Sequence, residues 1–78
     1  MKVYAVLKND SILKGKLFAL PEQAVDFFAD EFLIEYPNAK LQDIKDELLQ
    51  DLIKDSYFSV QAGNDEWECK TYKSGEIL

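Results

Sequence analysis

The chain has 78 residues, fifteen acids, nine lysines and neither arginine nor histidine, for a net charge of −6. That balance argues against general affinity for duplex nucleic acid, which needs phosphate neutralisation. The missing residue types remove the commonest general base and metal ligand, and the bidentate phosphate fork. The length allows one small domain burying only about 60–65% of its unfolded surface, and the 47% of hydrophobic residues, with five Phe, four Tyr and one Trp, argue against disorder.

Lys2 to Lys8 alternates Val3, Ala5 and Leu7 with Lys2, Tyr4, Val6 and Lys8, which predicts a half-buried strand. Asn9-Asp10-Ser11 is a turn cluster. Ile12 to Leu20 reads as a second strand, with Gly15 marking a bulge or a close contact. Pro21-Glu22 opens a helix. Ala24, Val25, Phe28, Ala29, Phe32, Leu33 and Tyr36 form its apolar stripe, with Asp26 and Asp30 opposite. Phe27 and Ile34 fall outside the stripe, as core beneath a second helix or as an exposed partner contact. Tyr36-Pro37 ends the helix.

Asn38 is a candidate N-cap for a second helix carrying Leu41, Ile44, Leu48, Leu49, Leu52 and Ile53 at helical spacing. Ser56 to Ala62 returns to strand alternation, with Phe58, Val60 and Ala62 on one side. Gly63-Asn64-Asp65 is a turn, and Glu66 to Tyr72 a fourth strand with Trp67, Cys69 and Thr71 on one face. Lys73-Ser74-Gly75 loosens the chain before the tail Glu76-Ile77-Leu78. The expected fold is α+β with two layers in ββααββ order: a four-stranded, mostly antiparallel sheet with both helices on one face.

Charge is uneven along this order. Residues 1–20 set Lys2, Lys8, Lys14 and Lys16 against Asp10 and carry +3, residues 21–56 carry −7, and residues 57–78 carry −2. The expected molecule is bipolar, with acidic helices behind a sheet whose outer face mixes lysines with Tyr4, Phe18, Tyr57 and Tyr72. Exposed helix faces are commonly charged for solubility alone. The sharper reading is that Asp43, Asp46, Glu47 and Asp51, with Asp26, Asp30 and Glu31, form an anionic surface that occupies a partner's phosphate-binding groove.

Catalytic equipment is absent from the sequence. One cysteine makes neither a disulfide nor a zinc cage, and Cys69 beside Trp67 on a strand reads as buried structure rather than a nucleophile. Phosphate-loop, dinucleotide and EF-hand spacings are missing. The acids on each helix are spaced as exposed helix acids commonly are, so no metal and no cofactor is expected. Tyrosines and lysines on an open sheet also suit unpaired RNA bases, against the simpler roles of cross-strand stabilisation or subunit pairing.

In size, acidity and lack of catalytic residues the chain resembles small phage or mobile-element inhibitors, a likeness of composition without a matched motif. The expectation is a non-enzymatic module that occludes a basic nucleic-acid-binding surface of a larger protein, as in anti-defence inhibitors. Two alternatives stand beside it: self-association, as in a homodimer, through the sheet face or an edge strand, and single-stranded RNA binding through the tyrosine face. With no leader-like run before Lys8-Asn9-Asp10 and no apolar stretch of ~20 residues, the expected location is cytoplasmic, without a membrane partner.

Overall fold

The computed structural model describes residues 1–73; the tail expected to loosen after Lys73 lies outside the described residues. Strand β1 (Lys2–Lys8) leads through a tight turn to β2 (Ser11–Ile12). Helices α1 (Pro21–Glu35) and α2 (Lys45–Asp55) follow, then β3 (Tyr57–Ala62) and β4 (Asp65–Lys73). The strands form one antiparallel sheet in the order β2-β1-β4-β3, so the two central strands come from opposite ends of the described chain. Both helices cover the same sheet face, giving the expected α+β fold in ββααββ order.

Turn chemistry sets the two hairpins. Asn9 (φ 52°) and Asp10 (φ 69°) both adopt left-handed backbone, which Asn and Asp tolerate and which matches the twist of the flanking strands. Asn9 also anchors the turn to β4. Its backbone N–H donates to the Glu66 carbonyl, its side-chain oxygen accepts from the Glu66 N–H, and its side-chain amide donates to Asp65. Between β3 and β4, Gly63 takes φ +60° at the first position of a two-residue turn, where glycine is favoured.

The second strand is far shorter than its apolar alternation predicts. Only Ser11 and Ile12 pair with β1. Lys14 (φ 54°) and Gly15 (φ 64°) are both left-handed and turn the chain through a 3-10 segment, Leu13–Gly15. The chain touches the sheet again at one bridge, where Tyr4 and Phe18 exchange backbone hydrogen bonds of 2.8 Å. The second helix also starts later than an Asn38 cap predicts. A 3-10 turn, Leu41–Asp43, precedes α2, with no side-chain cap on either. Leu41, Leu48, Leu49 and Leu52 join the core, but Ile44 (φ −116°, off helical geometry) and Ile53 are exposed.

The α1 stripe and the sheet build an aromatic core. Phe28 meets Phe58 at 5.3 Å and Trp67 at 5.8 Å between ring centroids, both edge-on, and Phe32 meets Trp67 at 5.2 Å. Val6, Phe58, Trp67 and Cys69 face the helices because cross-strand partners point the same way: Val6 lies opposite Cys69, which lies opposite Phe58. At the C-terminus of α1, Tyr36 stacks on Phe32 and its hydroxyl donates to the Ala62 carbonyl at 3.1 Å, tying the helix end to the β3–β4 turn. Tyr36→Phe keeps the ring and removes that bond, so urea unfolding should show a loss of about 1 kcal/mol.

Candidate functional site

Helix α2 forms because Leu48, Leu49 and Leu52 recur at helical spacing against the sheet and α1. That spacing sends Asp46, Glu47 and Asp51 to the opposite side, where all three are exposed, as is Asp43 in the preceding turn. None of the four makes an ion pair among the described residues. Asp46 and Glu47 occupy the first turn of α2, where the helix dipole favours anions. Lys45 is turned away to Asp26 (2.5 Å), leaving Lys54 as the cation on the solvent side of α2.

The acids of α1 have a different fate. Asp26 pairs with Lys45, Glu31 with Lys14 (2.8 Å), and Glu35 with Lys8, whose Nζ donates to both carboxylate oxygens at 2.7 Å. Hydrogen bonding to Glu35 raises the Lys8 pKa above its ordinary value, against a smaller lowering by desolvation. Lys16 lies over the Phe27 ring, 5.3 Å from its centroid. The basic N-terminal segment therefore wraps onto α1 instead of populating the outer sheet face, which corrects the bipolar expectation. Two causes act: Lys8 shares the helix-side parity of Val6 on β1, and the left-handed break at Lys14-Gly15 brings Lys14 and Lys16 to α1. Of Asp26, Asp30 and Glu31, only Asp30 stays exposed and free of an ion pair.

A groove of about 300 Å³ runs between α1 and the start of α2. Its walls combine Glu22, Asp26, Gln42, Lys45 and Asp46 with the apolar Val25 and Leu49. It adjoins the free α2 carboxylates through Asp46, but Asp26 is neutralised within it by Lys45.

The four aromatics assigned to the sheet face divide between the two faces. Tyr57 and Tyr72 lie on the outer face with Lys70. Tyr4 and Phe18 pack on the helix side, with Phe18 5.1 Å from the Phe27 ring of α1. Tyr4 shares the parity of Val6, and its bridge partner Phe18 follows it inward. Phe27 is thus covered by Phe18, and Ile34 remains exposed.

The outer face also holds a feature that linear reading misses. Asp10, Glu66 and Glu68 each place a carboxylate oxygen within 4.8 Å of the others. Glu66 and Glu68 share a face by strand parity, which the sequence contains, but Asp10 reaches them only through the pairing of β1 with β4.

Cys69 is buried on the helix side, and burial pushes its thiol pKa up from 9.0 to about 12. The unfolded thiol ionises first. The stability tied to the neutral thiol is therefore full below about pH 9 and lost as pH rises toward 12. In that window wild-type stability should fall about 1.4 kcal/mol per pH unit more steeply than that of Cys69→Ala, measured by urea unfolding. Equal slopes would contradict a buried neutral thiol.

Among the described residues, no helix is long and apolar enough to cross a membrane. In comparison with known proteins, the chain matches no family model, no curated protein and no solved structure.

Proposed function

We propose that the chain is a non-catalytic protein-binding module whose α2 face docks on a basic, nucleic-acid-binding surface of a larger protein and occludes it, in the manner of an inhibitor. One observation carries this reading: Asp43, Asp46, Glu47 and Asp51 stand exposed and free of ion pairs, whereas Asp26, Glu31 and Glu35 on α1 are matched to lysines. Unpaired carboxylates keep their field for an incoming cationic surface, and such a field raises association rates more than it raises affinity. The test is affinity capture from the native host at about 50 mM salt, where screening is weak. A retained nucleic-acid-binding protein that a DNA or RNA oligonucleotide displaces supports the reading. A retained set without such a protein, or one that the oligonucleotide leaves in place, contradicts it.

A second reading, self-association, has its own observation. Strand β3 is a sheet edge whose sequence, Tyr-Phe-Ser-Val-Gln-Ala, holds no charge and no proline, the usual protections of an exposed edge. Antiparallel pairing of β3 with its copy would continue the sheet across a two-fold axis. Sedimentation at micromolar concentration decides it: a dimer supports this reading and a monomer removes it.

A further inference from the structure

The three carboxylates on the outer sheet face are drawn together by architecture. Glu66 and Glu68 project from β4 on the face that carries no helix. Asp10 arrives from the β1–β2 turn, held in place by two hydrogen bonds between Asn9 and Glu66, one from the Asn9 backbone N–H to the Glu66 carbonyl and one from the Glu66 N–H to the Asn9 side-chain oxygen. The left-handed φ of Asp10 belongs to the same turn.

Glu68 separates this cluster from an ordinary surface of acids. The residue is 5% exposed, in a sheet row with Leu7 on one side and Ser59 on the other. Its Oε1 is buried and has no hydrogen-bond partner. Lys70 Nζ approaches the other oxygen only to 3.7 Å, beyond hydrogen-bonding distance. A buried carboxylate oxygen without a donor is costly, the more so with two further carboxylates beside it. Three anions and one ammonium leave a local charge of −2, which a divalent cation would cancel.

We infer that Asp10, Glu66 and Glu68 form a binding site for a hard divalent cation, with calcium the best fit. Calcium takes about six to eight oxygens at about 2.3–2.6 Å in flexible geometry, whereas magnesium demands a near-ideal octahedron at about 2.0–2.1 Å. The three oxygens all lie within 4.8 Å of one another, close enough for one cation to bridge, and calcium's tolerance of irregular geometry suits ligands fixed on a strand and a turn. The side chains supply three to six oxygens according to their denticity, and water completes the shell. Lys70 is the resident competitor, giving up its loose contact with Glu68 when the ion enters. The ion would fasten the β1–β2 turn to β4, stiffening the edge of the sheet where β2 contributes only two residues.

The experiment is a calorimetric titration of calcium chloride into chelator-treated protein, alongside Glu68→Gln, Asp10→Asn and a control with Asp46→Asn, Glu47→Gln and Asp51→Asn combined. Both single variants suit the fold, since Gln removes a buried charge and Asn tolerates the turn conformation. Wild type should bind one ion with a dissociation constant on the order of 0.1–1 mM, the range of modest oxygen sites, and its Tm should rise with calcium. Glu68→Gln and Asp10→Asn should each weaken uptake at least about tenfold, and the α2 control should bind as wild type. Lys70→Gln should tighten it. No uptake by wild type up to about 10 mM, undiminished uptake in either single variant, or loss in the α2 control would overturn the site.

Discussion

Trp67→Ala is expected to remove about 3–5 kcal/mol of folding stability, a large share of the total. Trp67 is among the largest fully buried side chains and sits at the centre of the sheet, with Phe28 and Phe32 edge-on against its ring and Lys8 5.2 Å above it. Truncating a buried aromatic costs about 3–5 kcal/mol, because the surroundings cannot close the cavity. A chain of this length has about 4–12 kcal/mol in total. The loss therefore consumes most of the stability at the lower end of that range and a quarter or more at the upper end. Far-ultraviolet dichroism during urea unfolding should show the midpoint falling by at least about 2 M, given a slope near 1 kcal/mol per molar. Trp67→Phe should fall between the two. A midpoint shift below about 0.5 M for Trp67→Ala would mean that this ring cluster is not the centre of stability.

Reversal of Asp43, Glu47 and Asp51 to lysine is the change expected to act most strongly on partner binding. All three are exposed and unpaired, so substitution removes no packing and no internal salt bridge. Surface changes of this kind usually alter stability by no more than about 0.5 kcal/mol each. The local field changes by six charges, from −3 to +3 at the three positions. Association with the captured partner should slow at least about tenfold in dilute buffer, and the difference should shrink as salt shortens the screening length. Neutralising Asp26 and Glu31 should change association far less, because Lys45 and Lys14 already offset them. An equal effect from both groups would mean that the free and paired acids are equivalent to the partner.

The sequence exposes the parts of this molecule that depend on short-range periodicity. The α1 stripe from Ala24 to Tyr36 is visible because seven apolar residues share one helical face and Pro21 and Pro37 bracket it. The β3 and β4 alternation is equally clear, including the inward side of Trp67 and Cys69. The second strand misleads because alternation continues through Lys14-Gly15 whereas the backbone there is left-handed, and periodicity carries no information on φ. Asn38 misleads as a cap because the chain enters α2 through a 3-10 turn anchored by the buried Leu41.

Strand order and charge pairing are long-range facts. Lys8 and Glu35, or Lys14 and Glu31, are partners only because α1 crosses the N-terminal segment in space. Counting charges by segment therefore overstates the free anionic surface, because Asp26, Glu31 and Glu35 of α1 are paired with lysines whereas, among the described residues, the acids of α2 are not. The same limitation hides the Asp10, Glu66 and Glu68 cluster, whose members meet across more than fifty residues of chain.

The proposed partner contact lies on the solvent side of α2. The most direct measurement is an amide chemical-shift footprint of the captured partner on the isotope-labelled chain. The perturbed amides should cluster between residues 41 and 55, centred on Asp46, Glu47 and Asp51, with β3 and the outer sheet face unchanged. Perturbations confined to Tyr57–Ala62, or to the Tyr57 and Tyr72 face, with α2 silent, would contradict it.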